Sequence, residues 1–127
     1  LQLAIKLGYR VVIISGGFSK SVENRFGDLN IKDVYLGVKD KTVVYNKYVK
    51  DNNLTKDEII YMGDDIPDLR VMKSVGVPAC PADAVEEIKD VAIYISDKNG
   101  GKGCVRDIIE QVLKIQGKWM TEESHYW

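Results

Sequence analysis

Histidine is nearly absent from this 127-residue sequence, with His125 the only one. Histidine-based triads and the usual zinc sites are thereby excluded. Cysteine is scarce as well. Cys80 and Cys104 lie far apart, and neither belongs to a CxxC pair. They read as two reduced, buried thiols rather than a disulfide or a metal site. An excess of either charge is also lacking, since the net charge is −1. That removes the general electrostatic reason to expect nucleic acid or an anionic membrane as partner. No apolar run approaches membrane-spanning length and no secretory leader is visible, so the Asn53-Leu54-Thr55 sequon has no secretory context. The expectation is a cytoplasmic protein. Internal repeats and low-complexity tracts do not stand out. The stretch Gly100-Gly101-Lys102-Gly103 lacks the spacing of a P-loop.

What remains is a globular composition, 45% apolar and 29% charged, in a length sufficient for one domain with a core. Leu1, Leu3, Ala4, Ile5 and Leu7 read as the tail of an amphipathic helix, with Gly8 as its C-cap residue. Val11-Val12-Ile13-Ile14 is a short β-branched run, as in a strand buried on both faces. Ser15-Gly16-Gly17 ends it. A helix capped by Ser19 or Ser21 is expected as far as Leu29, then a strand over residues 33–36 and a helix over 42–52. Thr55 and Glu58 mimic a capping box, but only a turn fits before the strand of residues 59–62. A helix follows from Pro67 to Ser74, with Pro67 in its first turn. Then come a strand over 76–80, a helix over 84–90 capped by Asp83, a strand over 91–95 and an amphipathic helix over 105–116.

Strands alternating with helices predict an α/β fold with a doubly wound, mostly parallel sheet and right-handed crossovers. Ligands bind beyond the carboxyl ends of such strands. Here those ends are Ser15, Gly37, Gly63 and Cys80, and the edge gathers Ser15, Lys41, Asp64, Asp65 and Asp68. Three carboxylates so close repel one another unless a cation or basic group sits among them. Mg²⁺, which needs few protein oxygens and favours phosphate substrates, is the simplest such cation. Ser15, with the backbone N–H groups of Gly16 and Gly17, suits an anion, especially phosphate. Lys41 would neutralise phosphate or a nucleophile. Asp64 would take the metal, and Asp65 and Asp68 would orient it or hold Lys41. Taken singly, each residue has an ordinary reading as a turn residue, a solvated lysine or a helix cap. The ordered set at successive strand ends favours function. A receiver-type signalling domain uses similar groups, but with the acids early and the lysine late, the reverse of the order here.

The segments Val12-Ile13-Ile14-Ser15-Gly16-Gly17, Asp40-Lys41 and Gly63-Asp64-Asp65-Ile66-Pro67-Asp68 resemble the second, third and fourth motifs of the haloacid dehalogenase superfamily of phosphatases. Tyr35-Leu36-Gly37, Tyr61-Met62-Gly63 and Gly100-Gly101-Lys102-Gly103 with Arg106 are similar to its capless branch. The resemblance covers residues 1–118, with 119–127 as a C-terminal tail. It implies an Mg²⁺-dependent hydrolase of a small sugar-acid phosphate. The implied substrate is an eight-carbon 8-phosphate of lipopolysaccharide synthesis or its nine-carbon analogue. It implies that Ser15 binds the phosphoryl group with Gly16 and Gly17, that Lys41 stabilises its charge, and that Asp64 and Asp65 serve the metal with Asp68 in support. It also implies a homotetramer in which the 100–103 loop, Arg106 and the aromatic tail close a neighbouring site. Two departures stand out. The family's first motif, Asp-x-Asp, is missing from these residues, so the sheet is expected to lack its first central strand and the chain alone to be inactive. Gly17 stands where many relatives carry a basic residue. The competing expectation, from another class, is a non-catalytic module that binds or oligomerises.

Overall fold

A computed structural model describes residues 9–16, 31, 33–100 and 103–115. The chain divides into two compact units, Leu1–Lys39 with Ile109–Trp127, and Asp40–Ile108. The expected helix over residues 19–29 and the helical tail before Gly8 lie outside the described residues.

In the first unit, strand β1 (Val12–Ile14) pairs in parallel with β2 (Asp33–Tyr35), Val12 opposite Asp33 and Ile14 opposite Tyr35. Branching at Cβ suits Val12, Ile13 and Ile14 to this extended, half-buried setting. The ladder runs on past the strand. Ser15 N–H donates to the Tyr35 carbonyl at 2.9 Å, and Val38 N–H donates to the Ser15 carbonyl at 3.0 Å. Gly37, at φ 64°, supplies the left-handed turn this return requires.

The second unit begins with helix α1 (Lys41–Asp51), whose N-cap Asp40 accepts the Thr42 N–H at 2.9 Å. A single 3₁₀ turn (Lys56–Glu58) leads into β3 (Ile60–Met62). A second 3₁₀ turn (Ile66–Asp68), helix α2 (Leu69–Met72), β4 (Val77–Cys80), α3 (Glu86–Val91) and β5 (Tyr94–Ile95) follow, and α4 (Cys104–Ile115) starts in this unit, its residues from Ile109 on counting with the first. The strands form one parallel ladder in the order β3-β4-β5. Met72, Cys80, Ala84 and Ile88 make one buried cluster, and Tyr45, Val71 and Val75 another. Tyr61 on β3 packs against both. The expected α/β fold with parallel strands is what forms, and both cysteines are buried and free.

Three local expectations need correction. Asp83 does not cap α3. Its carboxylate accepts the Gly100 N–H at 2.8 Å, and the helix starts after an extended Val85. Val91 ends α3 instead of starting a strand, because it packs on the Met72–Ile88 cluster while Ala92 N–H closes the helix on the Ile88 carbonyl. Burial here overrides the strand preference of a β-branched residue. The helix expected from Pro67 opens as a 3₁₀ turn and ends at Met72.

Candidate active site

Asp68 is the centre of the site. Its residue is only 3% exposed, and a carboxylate buried that deeply needs partners. Lys41 Nζ donates to Oδ1 at 2.8 Å, and the Tyr61 hydroxyl donates to the same oxygen at 2.7 Å. The N–H groups of Asp64 and Asp65 donate to Oδ2 at 3.1 and 3.4 Å. Each donor comes from a predictable place. Lys41 opens α1, Tyr61 lies on β3, and the two amides belong to the turn that leaves β3. The turn is closed from within: Asp65 Oδ1 accepts the Ile66 N–H at 2.7 Å, and Asp68 N–H donates to the Asp65 carbonyl at 2.9 Å. Pro67 sits inside this first turn, where a missing N–H leaves nothing unpaired.

Gly63 lets the turn close. A Cβ there would lie 2.4 Å from the Asp68 Cβ and 2.8 Å from Met72 Sδ. The glycine is required by close approach.

Electrostatics divide the three acids. Burial opposes the charge on Asp68, but Lys41, Tyr61 and the Asp64 N–H outweigh it and hold its carboxyl below the ordinary range. Asp64 goes the other way. Partial loss of solvent on the inner side of this otherwise exposed carboxyl raises its pKa, the Asp68 charge adds to this, Lys41 partly offsets both, and Asp65 raises it further. The Tyr61 hydroxyl is pushed up by burial, by its bond to Asp68 and by the charges of Asp68 and Asp64, so it stays a neutral donor. Lys41 opens a helix whose first turn contains no acid. A cation there opposes the helix dipole, so helix stability does not account for it.

Asp68 is committed to holding Lys41 and the turn. Asp65 caps Ile66. Asp64, exposed and crowded by negative charge, is the carboxylate whose ionised form a cation would favour. Among the described residues, no group of three or more His, Cys, Asp or Glu side chains is arranged to hold a metal ion. A site of one or two carboxylates is the kind that Mg²⁺ tolerates, since it keeps several waters and substrate oxygens as ligands.

Lys41, Asp64, Asp65 and Asp68 are thus brought together in the second unit. Ser15 and Gly16 belong to the first unit, where Ser15 is fixed by its backbone bonds to Tyr35 and Val38. Gly17, Gly101 and Lys102 lie outside the described residues, and Arg106 is exposed in the first turn of α4. Sequence reasoning did not assign Tyr61 a role. Tyr61 entered there only within the Tyr61-Met62-Gly63 segment that is similar to the capless branch.

The site joins a part-buried Lys41 to a buried Asp68, with the exposed Asp64 at the turn that leaves β3. The chain belongs to the haloacid dehalogenase-like hydrolase family, whose pattern matches residues 26–108. It is 31% identical over 118 residues to the 3-deoxy-D-manno-octulosonate 8-phosphate phosphatase KdsC of Salmonella typhi, covering 93% of this chain and 63% of that protein. The chain therefore spans somewhat less than two thirds of that relative. A solved structure of a probable YrbI family phosphatase from Pseudomonas syringae superposes with a TM-score of 0.92 at 34% identity, covering 98% of this chain and 71% of that one. The 3-deoxy-D-manno-octulosonate 8-phosphate phosphatase of Moraxella catarrhalis, solved with magnesium, phosphate and KDO, superposes with a TM-score of 0.87 at 31% identity, covering 91% and 67%.

Proposed function

We propose that this chain supplies the phosphate-binding and metal-binding part of an Mg²⁺-dependent phosphomonoester hydrolase. The substrate we assign is a sugar-acid phosphate, 3-deoxy-D-manno-octulosonate 8-phosphate, cleaved to the free sugar acid and phosphate. The observation that carries this reading is the Lys41–Asp68 pair. A lysine kept 16% exposed on a carboxylate 4% exposed is held ready at a strand end rather than solvated. The relatives named above and the magnesium, phosphate and KDO of the Moraxella catarrhalis structure support the substrate and the metal.

In this mechanism Lys41 stabilises charge on the transferring phosphoryl group. Its positive charge acts where solvent is largely excluded, which is where such stabilisation is largest. Asp68 holds Lys41 in place and takes no proton. The Ser15 hydroxyl and the Gly16 and Gly17 amides bind phosphoryl oxygens. Asp64, with Asp65, would hold Mg²⁺, which when bound offsets charge between nucleophile and phosphate. Attack by an aspartate carboxylate on phosphorus would break the ester P–O bond, releasing the sugar-acid hydroxyl with a proton, and water would then hydrolyse the aspartyl-phosphate to phosphate and the free carboxylate. Arg106 and the 100–103 loop are assigned to substrate closure in a cytoplasmic homotetramer. No helix among the described residues is long and apolar enough to cross a membrane.

The test is phosphate release by the intact natural protein with the eight-carbon 8-phosphate and its nine-carbon analogue, with and without Mg²⁺. Metal-dependent release, faster on the eight-carbon substrate, is expected. Release from neither would leave a non-catalytic binding module as the better reading, and faster release from the nine-carbon compound would reassign the substrate.

A further inference from the structure

We propose that Tyr61 is a positioning residue for Lys41, acting through Asp68. The Tyr61 hydroxyl and the Lys41 ammonium share one oxygen of Asp68, at 2.7 and 2.8 Å. The two donors differ in kind. Lys41 ends a flexible four-carbon stem, with its charge free to turn. Tyr61 ends a rigid ring that rises from β3 and packs against both buried clusters of the second unit. The ring is fixed by the core, so the hydroxyl is fixed too. The opposite oxygen of Asp68 accepts the longer amide bonds, 3.1 and 3.4 Å. Without Tyr61 the carboxylate can pivot about those two bonds, and the ammonium pivots with it. Tyr61 thus transmits the rigidity of the core to a side chain that has little of its own.

The choice of a hydroxyl matters. A second cation on Asp68 Oδ1 would compete with Lys41 by like-charge repulsion. A hydroxyl fixes the oxygen without adding charge, so the lysine keeps its full charge for an anion at the strand end. Gly63 completes the arrangement, since any side chain there would displace Asp68 from reach of Tyr61. The role of Tyr61 in turnover rests on the phosphatase reading. Its hold on Lys41 does not.

The experiment is Tyr61→Phe in the intact natural protein, a change that keeps the ring and removes only the hydroxyl. One readout is the ¹⁵N-detected ammonium resonance of Lys41, identified by its loss in Lys41→Met, and its proton exchange with water. The other is the separate measurement of kcat and KM at saturating Mg²⁺. The ammonium exchange is expected to rise about fivefold, and kcat to fall about tenfold with KM changed by less than about twofold. Asp68→Asn is expected to produce both effects more strongly, and adding Tyr61→Phe to it to change neither, because the two residues act in series. An unchanged Lys41 ammonium in Tyr61→Phe would overturn the proposal. So would a further loss of kcat in the double variant as large as in Tyr61→Phe alone. If the unsubstituted protein releases no phosphate, the phosphatase reading fails on its own, and the ammonium measurement still decides whether Tyr61 holds Lys41.

Discussion

Asp64 and Asp68 lie four residues apart and titrate in opposite directions, so substitutions at the two should have opposite signs. Asp68 has a depressed pKa. Its stabilising contribution is present above the unfolded carboxylate pKa and lost as pH falls through the lower, folded value. Asp68→Asn leaves the part-buried Lys41 beside a neutral group, and denaturant unfolding at neutral pH should show a loss of about 2 kcal/mol. Asp64 has a raised pKa. Its ionised form is disfavoured in the folded protein, so its contribution falls as pH rises from the unfolded to the folded value. Asp64→Asn should leave the thermal midpoint without metal unchanged or higher, while abolishing the rise that Mg²⁺ produces in the parent. A lower midpoint together with an intact Mg²⁺ response would place the metal elsewhere. At Gly63 the expectation is purely steric. Gly63→Ala would press a methyl against Asp68 and Met72, costing about 2 kcal/mol by the same unfolding measurement.

Turns and helix ends carry the site, and they were legible unevenly. The Thr55–Glu58 pair was readable as a cap with room for only one turn, and the structure has that turn: Glu58 Oε1 accepts the Thr55 N–H and hydroxyl, each at 3.0 Å. Those bonds hold the Glu58 carboxyl below its ordinary range, the backbone bond most. Its contribution is therefore present above the unfolded glutamate pKa and fades as pH falls through the folded one. Carboxyl NMR titration should find Glu58 depressed, and Thr55→Ala should return it only part of the way, because the Thr55 backbone N–H bond remains. Asp83 was misread because its cap geometry matched local rules, while its actual partner, Gly100, is distant in sequence. Val91 was misread for the same kind of reason, since its packing partners on α2 and β4 override its propensity. Local chemistry was legible at the Thr55–Glu58 pair, three residues apart, but not at Asp40, whose capping of Thr42 was not read. The contacts that fix Asp68 show the limit: Lys41 stands 27 positions away, and only the order of strands hinted that they would meet.

At the scale of the molecule, alternation of strands and helices was enough to predict a parallel α/β fold, and the ladder β3-β4-β5 follows from it. The acids and the lysine were read as one set on the expectation that successive strand ends share an edge, whereas β2 and β3 belong to separate sheets and Lys41 meets Asp68 from the start of α1. Tyr61 was not read with them, because a tyrosine on a half-buried strand is ordinarily core, and its hydroxyl acquires a role only once Asp68 folds back onto Gly63. The same geometry sets the most direct functional test. The role proposed for the Lys41 charge, held by Asp68 at 2.8 Å, is to stabilise a transferring phosphoryl group. The measurement is kcat for phosphate release by the intact natural protein and by its Lys41→Met variant, both at saturating Mg²⁺ and with unfolding curves to confirm that each is folded. A fall of about 100-fold or more, the scale of losing one preorganised charge at a transition state, is predicted. A folded Lys41→Met variant that turns over within about twofold of the parent would contradict the central role given to this lysine.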